Sequence, residues 1–110
     1  MKPRTVTFRP QAREDVIEIA AYLRSENPRI ADAFQEAVET ACRLLARLPE
    51  IGSAREFGDP RLSGLRMWPI KHFERYLIFY LLVNKKRIDI VRVLHSARDI
   101  AGMFEEDNDN

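Results

Sequence analysis

Nine side chains in the C-terminal half have the types that metal-free phosphodiester chemistry requires: Arg66, Lys71, His72, Arg75, Arg92, His95 and Arg98, with Tyr76 and Tyr80. Such chemistry needs a base to activate a 2′-hydroxyl, a cation on the developing phosphorane charge and an acid for the leaving oxygen. Arg66, Arg92 and His95 are the first candidates for a catalytic set. Each also has a structural reading. His95 closes a strand-like run, where a histidine more commonly serves as a hydrogen-bonding support. Asp99 nearby would orient its ring in either role. Arg66 alternates with Trp68 and Ile70 on one strand face, opposite Leu65 and Met67. An Arg beside a Trp is either a stacked pair or part of a binding surface, and Trp68 itself is either core or partner contact. Arg98 and Asp99 suit a mutual pair or the cap of a final helical turn. A binding surface asks less than catalysis: shape and positive charge, carried by Arg66, Trp68, Arg92, His95 and Arg98.

Other chemistries have little support. Two histidines 23 positions apart, with one cysteine (Cys42), give no metal-ligand framework, and no metal or other cofactor is expected. The four glycines are scattered, without the spacing of a phosphate-cradling loop. No apolar run reaches the length of a membrane span, and Met1-Lys2-Pro3-Arg4 is not followed by a signal-peptide core. The expectation is a cytoplasmic protein.

The elements that must position these residues are legible from periodicity. Thr5-Val6-Thr7-Phe8 is a short β-rich opening, bounded by Pro10. Residues 11–26 read as a helix, with Ala12, Val16, Ile19, Ala20 and Leu23 on one face. Asn27-Pro28 restarts the chain, Asn as N-cap and Pro at the first helical position. Ile30, Phe34, Ala37, Val38, Ala41, Leu45 and Leu48 then trace the apolar stripe of a second helix, ended by Pro49. So short a connection makes the two helices an antiparallel hairpin. Residues 49–61 read as loop. A three-strand meander follows: Leu65–Ile70, placed at a sheet edge by Pro69; Tyr76–Val83, apolar enough for a central strand; and Ile88–Leu94, reached by a tight turn over Asn84–Arg87. Ile100, Met103 and Phe104 suit one further helical turn packed on the body. The pattern is β-α-α-β-β-β, an α+β fold with a helical hairpin on one face of a mostly antiparallel sheet. Part of the other face is left for the basic residues. Residues 1–104 form a single domain, and 105–110 read as an acidic, disordered tail.

A net charge of +1 over 110 residues hides a partition. Residues 1–54 hold eight basic and eight acidic side chains, residues 55–98 hold ten and four, and residues 99–110 hold five acidic and none basic. A basic meander suits an anionic partner, either nucleic acid or an acidic protein. Lys85, Lys86 and Arg87 could equally do no more than solvate a hairpin turn.

Taken in order, these landmarks resemble the ParE toxins of type II toxin–antitoxin systems, within the ParE/RelE superfamily. They are Ala12, Asp15, Val16, Ile19 and Tyr22-Leu23; Asn27-Pro28, Ala31 and Ala33-Phe34; Leu48-Pro49-Glu50-Ile51-Gly52 and Arg55; Leu62-Ser63-Gly64-Leu65-Arg66; Phe73 and Tyr76-Leu77-Ile78-Phe79-Tyr80; and Val93-Leu94-His95-Ser96-Ala97-Arg98-Asp99. The resemblance implies a growth-inhibiting toxin, of the kind that stabilises plasmids, neutralised by a cognate ParD-like antitoxin. ParE-type members are associated with poisoning DNA gyrase, whereas RelE-type members cut mRNA at the ribosome, and a shared fold does not choose between them. RelE-type sites use clustered Lys and Arg with a Tyr or His near the chain's end, and this chain has no such terminal Tyr or paired His. The reading is therefore a toxin that binds and poisons gyrase, a binding protein in preference to an enzyme. The alternatives are a ribosome-dependent mRNA endonuclease, and an inactive homologue that serves only to bind antitoxin.

Overall fold

The computed structural model describes residues 2–108, and side chains through residue 104. The order is β1 (Thr5–Phe8), α1 (Pro10–Glu26), α2 (Pro28–Arg47), β2 (Ser53–Ala54), a 3₁₀ turn (Pro60–Leu62), β3 (Arg66–Ile70), β4 (Phe73–Leu82), β5 (Arg87–His95) and α3 (Ile100–Asn108). The sheet order is β1-β5-β4-β3-β2, with β1 parallel to β5 and the other pairs antiparallel. The α+β helical-hairpin architecture thus matches the sequence reading.

Local chemistry explains the junctions. Asn27 alone separates the two long helices, and its Oδ1 accepts the Arg29 N–H at 2.9 Å with Pro28 at the first helical position. Ala31, Phe34, Val38, Ala41, Cys42 and Leu45 of α2 are buried. All of these but Ala31 pack with Ile70, Ile78, Tyr80, Ile88, Ile90 and Val93 into the core under the helical hairpin.

Three features depart from expectation. Residues 53–54 form a fifth strand, paired with Met67 and Arg66. Two residues carry no alternation to read, and the strand exists because β3 offers an edge. That pairing stops at Met67, so the part of β3 holding Pro69 does lie at an open edge. The second sheet face is also less open than expected. Leu62, Leu65, Phe79, Leu81, Val91, Leu94 and Phe104 form a second core there. Phe104 stacks on Phe57 at 4.8 Å and meets Phe79 edge-on at 5.1 Å. Finally, α3 is longer than one turn. It continues to Asn108, so the stretch read as a tail from residue 105 begins as helix, and residues 109 and 110 lie outside the described residues. Asp99 caps α3, its Oδ1 accepting the Gly102 N–H at 3.1 Å.

Candidate functional site

Two concavities flank the end of the sheet where β4 begins and β5 finishes. The smaller is a cleft of about 200 Å³ between α1 and the end of β5, lined by Asp15, Glu18, Tyr22, Tyr76, His95 and Arg98 among others. Positions 15, 18 and 22 fall three and four residues apart, so α1 presents them on one face. Tyr76 and His95 are register partners across β4 and β5, their rings edge-to-face at 4.9 Å. His95 Nδ1 accepts the Ala97 N–H at 3.0 Å. A neutral His95 therefore carries its hydrogen on Nε2. Burial, and secondarily the nearby Tyr22, push the Tyr76 phenol above its ordinary value of 10, so it is a neutral hydroxyl near pH 7.

Asp15 forms the buried end of this cleft. Arg92 Nε and Nη2 donate to its two oxygens at 2.8 and 3.0 Å, and the Val93 N–H donates to Oδ2 at 2.9 Å. Strand β1 pairs with β5 only as far as Phe8 opposite Ile90. Beyond that point Asp15 takes the place of a neighbouring strand for Val93.

The larger concavity is a groove of about 870 Å³ between α2 and the open end of β3, lined mainly by Ala33, Ala37, Ala41, Leu44, Trp68 and Phe73. Trp68 is half-buried, packing on the main core with one side and lining this groove with the other.

The residues expected at a site thus separate. His95 and Arg98 meet at the cleft, and Trp68 lies in the groove. Arg92 is corrected: only 5 % exposed and held in the Asp15 ion pair, it is not part of a surface. Arg66 remains partly exposed, and its Nη1 donates to the carbonyls of Glu50 and Gly52 at 3.0 and 2.7 Å, which gives it a structural role beside the expected one. Tyr80 fastens the same loop: its hydroxyl donates to the Pro49 carbonyl at 2.8 Å and accepts the Gly52 N–H at 2.9 Å. Asp99 serves α3 rather than His95. His72 occupies an exposed turn, at φ +73°. Sequence reasoning missed Glu18 and Tyr22 as cleft residues and Asp15 as a partner. A signal existed for Asp15: it is a carboxylate adjoining the apolar stripe of α1. Among the described residues no cluster of three metal-ligating side chains occurs, and no helix is long and apolar enough to cross a membrane.

Comparison with known proteins agrees with this architecture. No curated protein sequence matches significantly. Among solved structures, the chromosomal ParDE toxin–antitoxin system of Pseudomonas aeruginosa superposes with a TM-score of 0.64 at 18 % identity, over 84 % of this chain and 95 % of that one. At that identity the likeness is one of fold. The RelBE2 toxin–antitoxin complex of Mycobacterium tuberculosis gives a TM-score of 0.58 at 27 % identity, over 84 % of this chain and 98 % of that one. The family model described as the ParE toxin of the type II toxin–antitoxin system parDE matches residues 6–100, and the chain accordingly belongs to the ParE toxin family.

Proposed function

We propose that this toxin inhibits growth by binding DNA gyrase rather than by cutting RNA, and that its antitoxin neutralises it by docking in the Trp68 groove. The observation that carries the first half is the fate of the two expected catalytic arginines. Arg92 is buried and locked to Asp15, and Arg66 commits one guanidinium nitrogen to the Glu50–Gly52 loop, so the expected pair does not stand together facing a cleaving phosphate. A protein that traps a gyrase–DNA complex needs no such pair. For the second half, the groove joins an apolar floor to the open edge of β3. That combination suits a segment that folds on binding and either adds a strand or lays a helix along α2. Incubating the purified toxin with gyrase and plasmid should suppress supercoiling and accumulate cleavage complexes. Normal supercoiling without cleavage complexes would count against gyrase.

One observation favours a second reading, ribosome-dependent mRNA cleavage. His95, Tyr76 and Arg98 line one cleft, which places an imidazole, a phenol and a cation together. Mapped cuts in translated mRNA on induction would select it.

A further inference from the structure

At the far end of the sheet, three distant segments bring basic side chains together. The Arg4 N–H donates to the Ala46 carbonyl at 2.9 Å, joining the N-terminus to the last turn of α2 and hence to Arg47. The Thr5 N–H donates to the Lys86 carbonyl at 2.7 Å, and Arg4 Nε donates to the Asn84 carbonyl at 3.3 Å, joining the same segment to the β4–β5 turn. Lys2, Arg4, Arg47, Lys85, Lys86 and Arg87 therefore share one end of the molecule. Only Arg87 has an ion pair there, with Asp89, which is also bound by Arg9. Among the described residues, none of the other five has a carboxylate within ion-pair distance.

The turn is built to present this charge. Asn84 Oδ1 accepts the N–H groups of Lys86 and Arg87 at 2.7 and 2.9 Å, which fixes the backbone while the side chains of Lys85, Lys86 and Arg87 stay exposed. The partial negative charge of the α2 C-terminus is offset by Arg47 in its last turn and by the Arg4 N–H on Ala46. A turn that merely needed solvation would not require basic residues from two other segments around it.

We infer that this end binds the phosphodiester backbone of a nucleic acid, without reading its bases. Lysines and arginines that have no carboxylate partner among the described residues, set around a fixed turn, neutralise phosphates and release counterions, a contact that carries no sequence information. An acidic protein segment is the less favoured occupant. The groove proposed for the antitoxin begins around Phe73, at the other end of β4, about 30 Å away for a strand of this length. The inference does not depend on gyrase being the target.

The test uses the purified full chain, free of any antitoxin, with fluorescent duplex DNA and single-stranded RNA of equal length in anisotropy titrations across a salt series. Binding should weaken with salt, the logarithm of affinity falling against the logarithm of salt with a slope of about −3 to −5. The double variant Lys85→Glu/Lys86→Glu should bind at least 10-fold more weakly at low salt, with the slope reduced by about 2. Lys71→Gln, at the opposite end of β4, should change nothing. Tighter binding of one probe assigns the backbone to DNA or to RNA, and equal binding assigns it to both. Absence of salt-dependent binding overturns the inference. So does binding that Lys85→Glu/Lys86→Glu leaves intact in a folded protein, or that Lys71→Gln weakens equally. So too does capture of an acidic peptide alone by the Lys85–Lys86 end.

Discussion

Asp15 and Arg92, 77 positions apart, form a two-pronged buried ion pair that ties α1 to the last strand. The side chains are 6 % and 7 % exposed, so neither charge can fall back on water. The same carboxylate accepts the Val93 N–H, where β5 has outrun β1. The pair therefore closes a gap in backbone hydrogen bonding as well as in charge, and it sets the wall of the His95 cleft.

Asp15→Asn keeps an acceptor for Val93 but removes the buried carboxylate that Arg92 grips through two nitrogens. Removing one partner of a buried pair costs about 3–5 kcal/mol. Urea denaturation should register a loss of that order. Arg92→Met in the Asp15→Asn background should recover part of it, because the buried cation is then removed along with its carboxylate. A loss below about 1 kcal/mol would mean that water reaches the pair.

Tyr80 and Arg66 predict a structural phenotype. Tyr80→Phe removes the acceptor of the Gly52 N–H and the donor to the Pro49 carbonyl, at a cost of about 1–3 kcal/mol. Gly52→Ala should be at least as harmful, since a Cβ there would sit 2.5 Å from the Tyr80 hydroxyl and 2.9 Å from the Met67 carbonyl. Tyr80→Phe should not rescue it, because ring carbon Cε1 would still lie 2.7 Å away. Arg66→Met should lower stability while leaving growth inhibition per folded molecule unchanged. Loss of inhibition in a folded Arg66→Met protein would return Arg66 to the functional surface.

Why the sequence did not show the structural partners of Arg66 and Arg92 is a matter of range. Residue type and strand alternation placed Arg66 with Trp68 and Ile70, but its carbonyl partners lie 14 and 16 positions upstream. The Arg92 partner is on another element altogether. Local signals served better where the physics is local. The α2 stripe, the Asn27 cap and the meander needed only neighbours along the chain. Strand β2 and the second core, by contrast, depend on β3 and on Phe57 and Phe104 meeting over the second sheet face. Of the candidate site, His95, Arg98 and Trp68 were legible by type and position. Glu18 and Tyr22 join the cleft only through the way α1 packs.

Cys42 gives a pH signature. Burial pushes its thiol from 9.0 to about 12, so the folded state keeps a proton that the unfolded state loses. Its contribution to stability is level below pH 9 and declines as pH rises from 9 towards 12, by up to about 1.4 kcal/mol per pH unit. Burial raises Tyr80 as well, with the same sign, but that effect is common to both proteins when wild type is compared with Cys42→Ala. The variant should be less stable at pH 7 and show the shallower alkaline decline. Parallel declines would mean that the thiol is hydrated. Native Cys42 should also resist thiol reagents until the protein is unfolded.

Trp68 tests the antitoxin groove. An aromatic half-seated in its own core and half in an apolar groove is the kind of residue that dominates an interface. Trp68→Ala should weaken antitoxin binding by about 30-fold or more, corresponding to about 2 kcal/mol. Trp68→Phe should retain most of the affinity. Calorimetric titration, with folding checked by denaturation, would show an unchanged affinity if the antitoxin docks elsewhere.

His95 separates binding from cleavage, provided the variant preserves its structural bond. Asparagine can present an oxygen acceptor to the Ala97 N–H in place of Nδ1, yet it cannot move a proton near neutral pH. Under the binding reading, His95→Asn keeps growth inhibition and Arg98→Glu loses it, because the exposed cation of the cleft matters for contact and not for chemistry. Under the cleavage reading, losing an acid–base group costs about 10²–10⁴ in rate. His95→Asn would then abolish both mRNA cuts and toxicity. The informative measurement is the pair of growth curves on induction, with transcript ends mapped in the same cultures. A toxic His95→Asn protein with intact transcripts supports gyrase, whereas a harmless one whose wild-type parent leaves defined cuts supports the ribosome.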